Sequence, residues 1–391
     1  MKPLPRSVKA LGWTSFFTDF STEMIYPLLP RFLTHTLKAT PLVLGLVEGV
    51  AESTASLLKL LSGHWSDRFH KRKPLVVGGY VISGIWPLIA LAPTWPFVLL
   101  LRFLNRVGKG VRTSPRDALI ADWTDPEERG RAFGFQRALD HAGAMVGPLA
   151  AYFLLRGLGF SLREVFLFAL LPTVVVFAVL LWAVTDKPGE AAPVGPQDPK
   201  EGLASSWSRM GGSFRMYLFS LFVFTLGNST DAFLLLKLDM AGVGEGGVLL
   251  LWSAHHFVKS ICTYWGGKVS DKIGRRTMVL AGWGVYALVY LAFSVVTDQA
   301  ALIAVFLSYG IYFGLTEPVE KAWVADMAPK DIRGAAFGWY HLTVGLAALP
   351  ASLLFGWIYM TYSPSCAFLT GACLAGLAAV LLMRVGDERK A

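Results

Sequence analysis

The sequence predicts an all-α polytopic membrane protein with twelve transmembrane helices in two pseudo-symmetric six-helix bundles. Three observations carry this. The run Gly63-His-Trp-Ser-Asp67-Arg68-Phe-His-Lys-Arg-Lys73 returns as Gly267-Lys-Val-Ser-Asp271-Lys-Ile-Gly-Arg-Arg276, and Arg129-Gly-Arg-Ala-Phe-Gly134 returns as Arg333-Gly-Ala-Ala-Phe-Gly338, both displaced by 204 positions. Unrelated loops do not keep a common register, so the chain reads as a duplication. Of its 391 residues 54% are hydrophobic, 13% aromatic and 16% charged, more apolar surface than water tolerates. Apolar stretches of the ~20 residues needed to cross a bilayer recur along the whole length.

In the first half these stretches fall at 12–34, 43–65, 74–93, 96–123, 131–155 and 161–184. In the second they fall at 213–237, 245–267, 276–296, 299–325, 334–360 and 363–384. A helix in each satisfies its own backbone polar groups, as lipid requires. The first stretch is too long for a signal peptide and has no small-residue cleavage site after it, so it is expected to remain as a span. Residues 1–185 and 213–391 form the two bundles in this reading. Residues 186–212, rich in Pro, Gly, Ser and charge, form the linker between them.

Lys2, Arg6 and Lys9, then Arg68, Lys71, Arg72 and Lys73, then Lys268, Lys272, Arg275 and Arg276, and finally Arg384, Arg389 and Lys390 all fall on one side of this topology. The opposite loops hold few, among them Lys38, Arg156, Arg163 and Lys237. The positive-inside rule therefore places both termini, and the linker, in the cytoplasm, for a multi-pass protein of the cytoplasmic membrane. The net charge of +9 is located at the membrane flanks and within spans, which argues against nucleic acid as a partner. Cys262, Cys366 and Cys373 lie inside stretches without CxxC spacing, so neither a disulfide framework nor a zinc site is indicated. Gly242-Val-Gly-Glu-Gly-Gly247 has no strand before it and reads as a turn, and the Asn228-Ser-Thr sequon lies inside a span. With no nucleophile–base pair, metal-ligand cluster or nucleotide site, the chain is not expected to be an enzyme or to need a cofactor.

Ionisable side chains inside spans are costly and mark function by default. In the fourth stretch Arg102, Arg106, Lys109, Arg112 and Arg116 fall within an arc of roughly 120° at about 100° per residue. Such a stripe faces a cavity, a neighbour's acids or the cytoplasmic rim. Asp19 and Glu23 in the first stretch, and Glu48 and Glu52 in the second, are i,i+4 pairs that can balance it. Arg137, Asp140 and His141 add charge to the fifth. Glu23, Glu52, Arg106, Lys109 and His141 fall at similar depths near the midplane. In the second half Ser229-Thr230-Asp231 is a counterpart of Ser21-Thr22-Glu23, and Glu320-Lys321 stands 204 positions after Arg116-Asp117 with both charges reversed. Glu317 lies one turn before Lys321, and His255, His256 and Lys259 mark the eighth stretch. Reversed charges at equivalent positions suggest ion pairs between the bundles that form in one state and break in another; static pairing within each half is the other reading. Aromatic residues such as Tyr26, Trp252, Tyr309 and Phe313 are available to stack on an organic solute, or to serve as core.

Gly63 to Lys73 resembles the loop between helices 2 and 3 of the major facilitator superfamily, Gly-x-x-x-Asp-Arg-x-Gly-Arg-Lys, with Asp67 and Asp271 at the acidic position of each copy. The resemblance spans essentially the whole chain. It departs at Trp65, Ser66 and His70, whereas the second copy keeps Gly274. It implies that Asp67, Arg68 and Asp271 latch cytoplasmic helix ends in an outward-open state, and that Arg106 or Arg102 matches the family's arginine near a proton site. Gly143-Ala-Met-Val-Gly147-Pro148 is similar to the signature of the family's proton-coupled exporters, completed here by Ala151-Tyr152 in place of Gly-Gly; plain helix packing is its alternative meaning.

The expected function is therefore proton-coupled secondary transport by alternating access, exporting a small organic solute with an anionic or zwitterionic group. Import of an organic anion or nutrient is the nearest rival. A divalent metal-ion carrier using Asp19, Glu23, His141, His255 and His256 is a third reading. Solute and protons are the expected partners, with the lipid bilayer as surroundings and a monomer as the working form.

Overall fold

A computed structural model describes residues 4–69, 72–124, 129–185, 207–328 and 333–386. Among them α1 is Arg6–Ile25, α2 Pro41–Phe69, α3 Arg72–Ser83, α4 Trp95–Asp122 and α5 Arg129–Tyr152. The pieces Leu162–Phe168 and Leu170–Ala183 make α6, and Gly212–Gly227 with Ala232–Met240 make α7. Then follow α8 Gly244–Ile273, α9 Arg275–Val295, α10 Gln299–Met327, α11 Arg333–Thr361 and α12 Pro364–Leu382. The described residues form no strand, and the twelve spans expected from hydropathy are present as helices.

Local chemistry explains several ends. Ser161 and Glu164 close a capping box at the start of α6, and the Asp298 and Ser363 side chains accept from the Ala301 and Cys366 N–H groups at the starts of α10 and α12. Gly274 turns α8 into α9 at φ +97°, a conformation that penalises a Cβ. Beyond Ile25, α1 continues as a 3-10 turn Tyr26–Leu28, one α turn Leu29–Arg31 and a π turn Phe32–Thr36. Pro27 and Pro30 lack the N–H groups a regular ladder needs there.

Among the described residues nine helices are long and apolar enough to cross a membrane; α1, α4 and α8 fall short, and these carry Asp19 and Glu23, the α4 cations, and His255, His256 and Lys259. Two expectations need correction. Helices α2 and α8 run on to Phe69 and Ile273, past the apolar limits, because a polar helix emerging into water needs no apolar face. The stretch 213–237 is not one helix: it breaks at Asn228–Asp231, where the Thr230 Oγ1 accepts the Ala232 N–H at 3.3 Å and so competes with the helical ladder.

In the first half α1 packs on α5 and α6, and α4 on α2 and α3; in the second α10 packs on α8 and α9, and α12 on α7 and α9. The halves meet where α2 lies along α11 and α5 along α8. Small residues allow these approaches. A Cβ on Gly49 of α2 would sit 3.0 Å from the Ser352 Cβ of α11, and one on Gly147 of α5 would sit 2.6 Å from the Phe20 carbonyl of α1. A Cβ on Gly143 would likewise run into the Phe16 carbonyl. The Gly143/Gly147 spacing thus sets α5 against α1. Gly143→Val is expected to destabilise the protein by about 1–3 kcal/mol through overpacking, read as a lower melting midpoint in detergent.

Candidate functional site

Between the halves lies a cavity of about 490 Å³. Asp19, Thr22, Glu23 and Tyr26 reach it from one face of α1, at the i, i+3, i+4 and i+7 spacing that a helix aligns. Glu48 and Glu52 come from α2, and Asn105, Arg106, Lys109 and Arg112 from α4. The second half contributes the non-helical Asn228–Asp231 segment of α7, Lys259 of α8, Tyr309, Phe313 and Glu317 of α10, and small residues of α11. Broken helices at mid-depth are where carriers commonly place their ligands.

The α4 stripe divides in three. Arg102 is fully buried and donates through Nε and Nη2 to both oxygens of Glu48, at 2.8 Å each. Its guanidinium lies 5.2 Å from the Tyr26 ring and 4.9 Å from the Trp86 ring. Arg112 donates to the Ser83 Oγ and lies 4.1 Å from the Tyr80 ring, while Arg116 pairs with its neighbour Asp117 at 2.8 Å and reaches the Ser15 Oγ at 3.4 Å. Arg106 and Lys109 remain turned to the cavity, with the Arg106 Nε buried and without a hydrogen-bond partner. The stripe is shared out because a helix 28 residues long meets α1, α2 and α3 at different heights, and each supplies a different partner.

Among the expected coupling residues, Asp19, Glu23, Glu48, Glu52, Arg106 and Lys109 line the cavity. Arg137, Asp140 and His141 are not part of the lining; Arg137 pairs with Asp140 at 3.5 Å, and Asp140 stands beside Asp19. Of the expected gating groups, Arg112 and Glu317 line the cavity. Among the described residues these groups make no ion pair between the bundles in this conformation. Glu317 holds Lys259 at 3.3 Å, Arg116 holds Asp117, and buried Glu320 accepts from the Trp283 Nε1 at 3.1 Å and the Tyr340 hydroxyl at 3.0 Å, with Lys321 exposed. All of these partners lie in the same half. The side chains of Asp67, Arg68 and Asp271 lie outside the described residues.

Along the helices the Ser53 Oγ of α2 donates to the Gly345 carbonyl of α11 at 2.6 Å and accepts the Leu349 N–H at 3.1 Å, and the Ser253 Oγ of α8 donates to the Met145 carbonyl of α5 at 2.8 Å. Further bonds between the halves lie toward the face away from the termini. Arg31, beyond the end of α1, pairs with Asp239 of α7 at 2.5 Å and with Glu245 of α8 at 2.8 Å, and His35 stands 3.3 Å from Asp239. The Tyr26 hydroxyl meets the Thr230 Oγ1 at 3.3 Å. Deeper in, the Trp252 Nε1 of α8 donates to the Glu23 Oε2 of α1 at 2.8 Å, and the Trp252 ring lies 5.3 Å from that of Tyr26. The reading of the sequence missed this closure and Asp231; only the repetition held a signal, since it already paired Ser21-Thr22-Glu23 with Ser229-Thr230-Asp231.

Arg31→Gln removes the cation shared by Asp239 and Glu245. It is expected to raise, several-fold, the labelling rate of a cysteine placed in the cavity by an impermeant reagent added from that face.

Residues 11–255 and 241–391 match the sequence profile of the Major Facilitator Superfamily. An uncharacterised MFS-type transporter of Methanocaldococcus jannaschii is 34% identical over 394 aligned residues, covering 98% of this chain and 95% of that protein. A gentisate transporter of Corynebacterium glutamicum is 25% identical over 400, covering 96% and 87%. The solved structure of the nucleoside transporter NupG superposes with a TM-score of 0.78 at 15% identity, covering 97% of this chain and 99% of that one, a likeness of fold.

Proposed function

This chain belongs to the Major Facilitator Superfamily, and on that premise we propose that it is a proton-coupled secondary transporter that exports a small organic solute with an anionic or zwitterionic group. Members of the family are transporters and not enzymes, and the chain is a multi-pass integral membrane protein. In the proposed cycle residues 1–185 and 213–391 rock about the cavity, the 186–212 linker and both termini stay in the cytoplasm, and the Arg31 side is the outer one.

One observation carries the coupling. Glu23 lines the cavity, and its carboxylate is also the acceptor of a bond between the halves from Trp252. A hydrogen bond to an ionised acceptor is roughly twice as strong as one to a neutral acceptor. Loss of a proton from Glu23 therefore tightens closure on the outer side, and its return loosens it. Asp19 beside Asp140 and Lys109 adds a second place where a proton relieves repulsion between carboxylates. For the solute, Arg106 and Lys109 offer positive charge within a volume typical of small-molecule sites.

Purified protein in liposomes with an imposed pH gradient tests this. Solute is expected to accumulate in the lumen against its own gradient as protons leave the lumen in exchange, and Arg106→Gln is expected to weaken solute binding at least several-fold. Movement of solute in the same direction as protons would favour the rival reading, import of an organic anion, which the gentisate-transporting relative supports. The metal-ion reading has less behind it: among the described residues no three of His, Cys, Asp or Glu converge on a point that could hold an ion.

A further inference from the structure

We propose that the solute carries a protonated amine and that Asp231, at the break in α7, receives it. This rests on the transport reading above and narrows its substrate class to amine-bearing, zwitterionic molecules.

The argument is one of charge and position. Six carboxylates and four basic side chains line the cavity. Arg102, directly behind Glu48 and bonded to both its oxygens, neutralises one of the six. On the wall built by the second half, Lys259 is taken by Glu317 at 3.3 Å. On that wall Asp231 is then the carboxylate left over, while Asp19, Glu23 and Glu52 share the first half with Arg106, Lys109 and Arg112. Its Oδ1 accepts the Tyr309 hydroxyl at 2.8 Å, a neutral donor, and among the described residues no cation stands within ion-pairing distance of it.

Asp231 precedes the first residue of the helix Ala232–Met240, yet its side chain makes no capping bond to that helix. The positive end of a helix dipole favours an ionised group at this position. The carboxylate thus sits at a helix start, is not used as a cap, and faces the cavity. An ammonium group placed there supplies the missing counter-charge. The basic side chains of the lining without a partner carboxylate in hydrogen-bonding contact, Arg106, Lys109 and Arg112, project from the first half. One zwitterion can therefore bind the first half through its acid and the second through its amine, so that the solute itself bridges the two moving parts.

The test uses the purified full-length protein and three probes that share a phenyl ring and differ in charge: phenylalanine, phenethylamine and 3-phenylpropanoate. Thermal stabilisation and calorimetric titration are expected to rank phenylalanine first and 3-phenylpropanoate last. Asp231→Asn is expected to lower the affinity for both amines at least ten-fold, leave the melting midpoint without ligand unchanged, and erase the preference over the carboxylate; Asp231→Glu is expected to retain part of it. A wild-type protein that prefers 3-phenylpropanoate, or an Asp231→Asn variant that keeps the amine preference, overturns the assignment while the transport reading stands. A response to none of the three overturns the assignment as well. Failure of Asp231→Asn to fold still leaves the wild-type ranking to decide. The pH-gradient assay, which does not depend on Asp231, decides the transport reading separately.

Discussion

Arg102→Ala is expected to cost about 3–5 kcal/mol, enough to leave little folded protein. Arg102 is fully buried, and Glu48, which it binds through two 2.8 Å bonds, is almost as deeply covered. Removing the guanidinium strands a carboxylate in a low-dielectric interior and takes away the cation between the Tyr26 and Trp86 rings. Arg102→Lys is expected to rescue only part of this, since an ammonium cannot make the two-pronged contact. The double variant Arg102→Met with Glu48→Leu is expected to recover most of the stability, because replacing both partners leaves no buried charge without a mate. Melting curves of detergent-purified protein read all three. A single alanine variant with an unchanged midpoint would show that the pair is better solvated than its geometry implies.

Glu23→Gln is expected to separate solute movement from proton movement. The glutamine carbonyl can still accept the Trp252 N–H, as a neutral acceptor making the weaker bond of the protonated state, so the contact with Tyr26 is retained. What is lost is a group that changes charge. Exchange of labelled for unlabelled solute should therefore persist near the wild-type rate, while accumulation driven by a pH gradient should fall at least ten-fold, to background. Wild-type accumulation in this variant would remove Glu23 from the mechanism and leave Glu52 and the Asp19–Asp140 neighbours as the acids to examine. Trp252→Phe tests the other end of the same bond: it keeps an aromatic ring against Tyr26 but removes the donor, and is expected to loosen the closed side without stopping exchange.

Much of the cavity is legible in the sequence. Asp19, Glu23, Glu48, Glu52, Arg106 and Lys109 stand out as charges in apolar stretches, where lipid tolerates none, and all six line the cavity. Their separate roles are not legible there. Arg102 and Arg106 are one turn apart with identical chemistry, yet one is sealed against Glu48 and the other faces open space. Arg116 and Glu320 sit at equivalent positions with opposite charge and, in this conformation, each finds its partners in its own half.

The sequence by itself determined the repeated motifs, the twelve spans, the all-helical character and the concentration of charge within spans. Each of these follows from local properties: hydropathy over one helix length, a fixed repeat offset, and the cost of an ionised group in lipid. Tertiary structure alone decided the break in α7, the choice of Glu48 over Glu52 as the mate of Arg102, the bond from Trp252 to Glu23, the Arg31 closure and the isolation of Asp231. These depend on which helices adjoin and how each is rotated about its axis, so that a difference of one turn moves a side chain from a neighbouring helix to water. Pairing energies among buried charges change steeply over such distances, and no property read along the chain carries them.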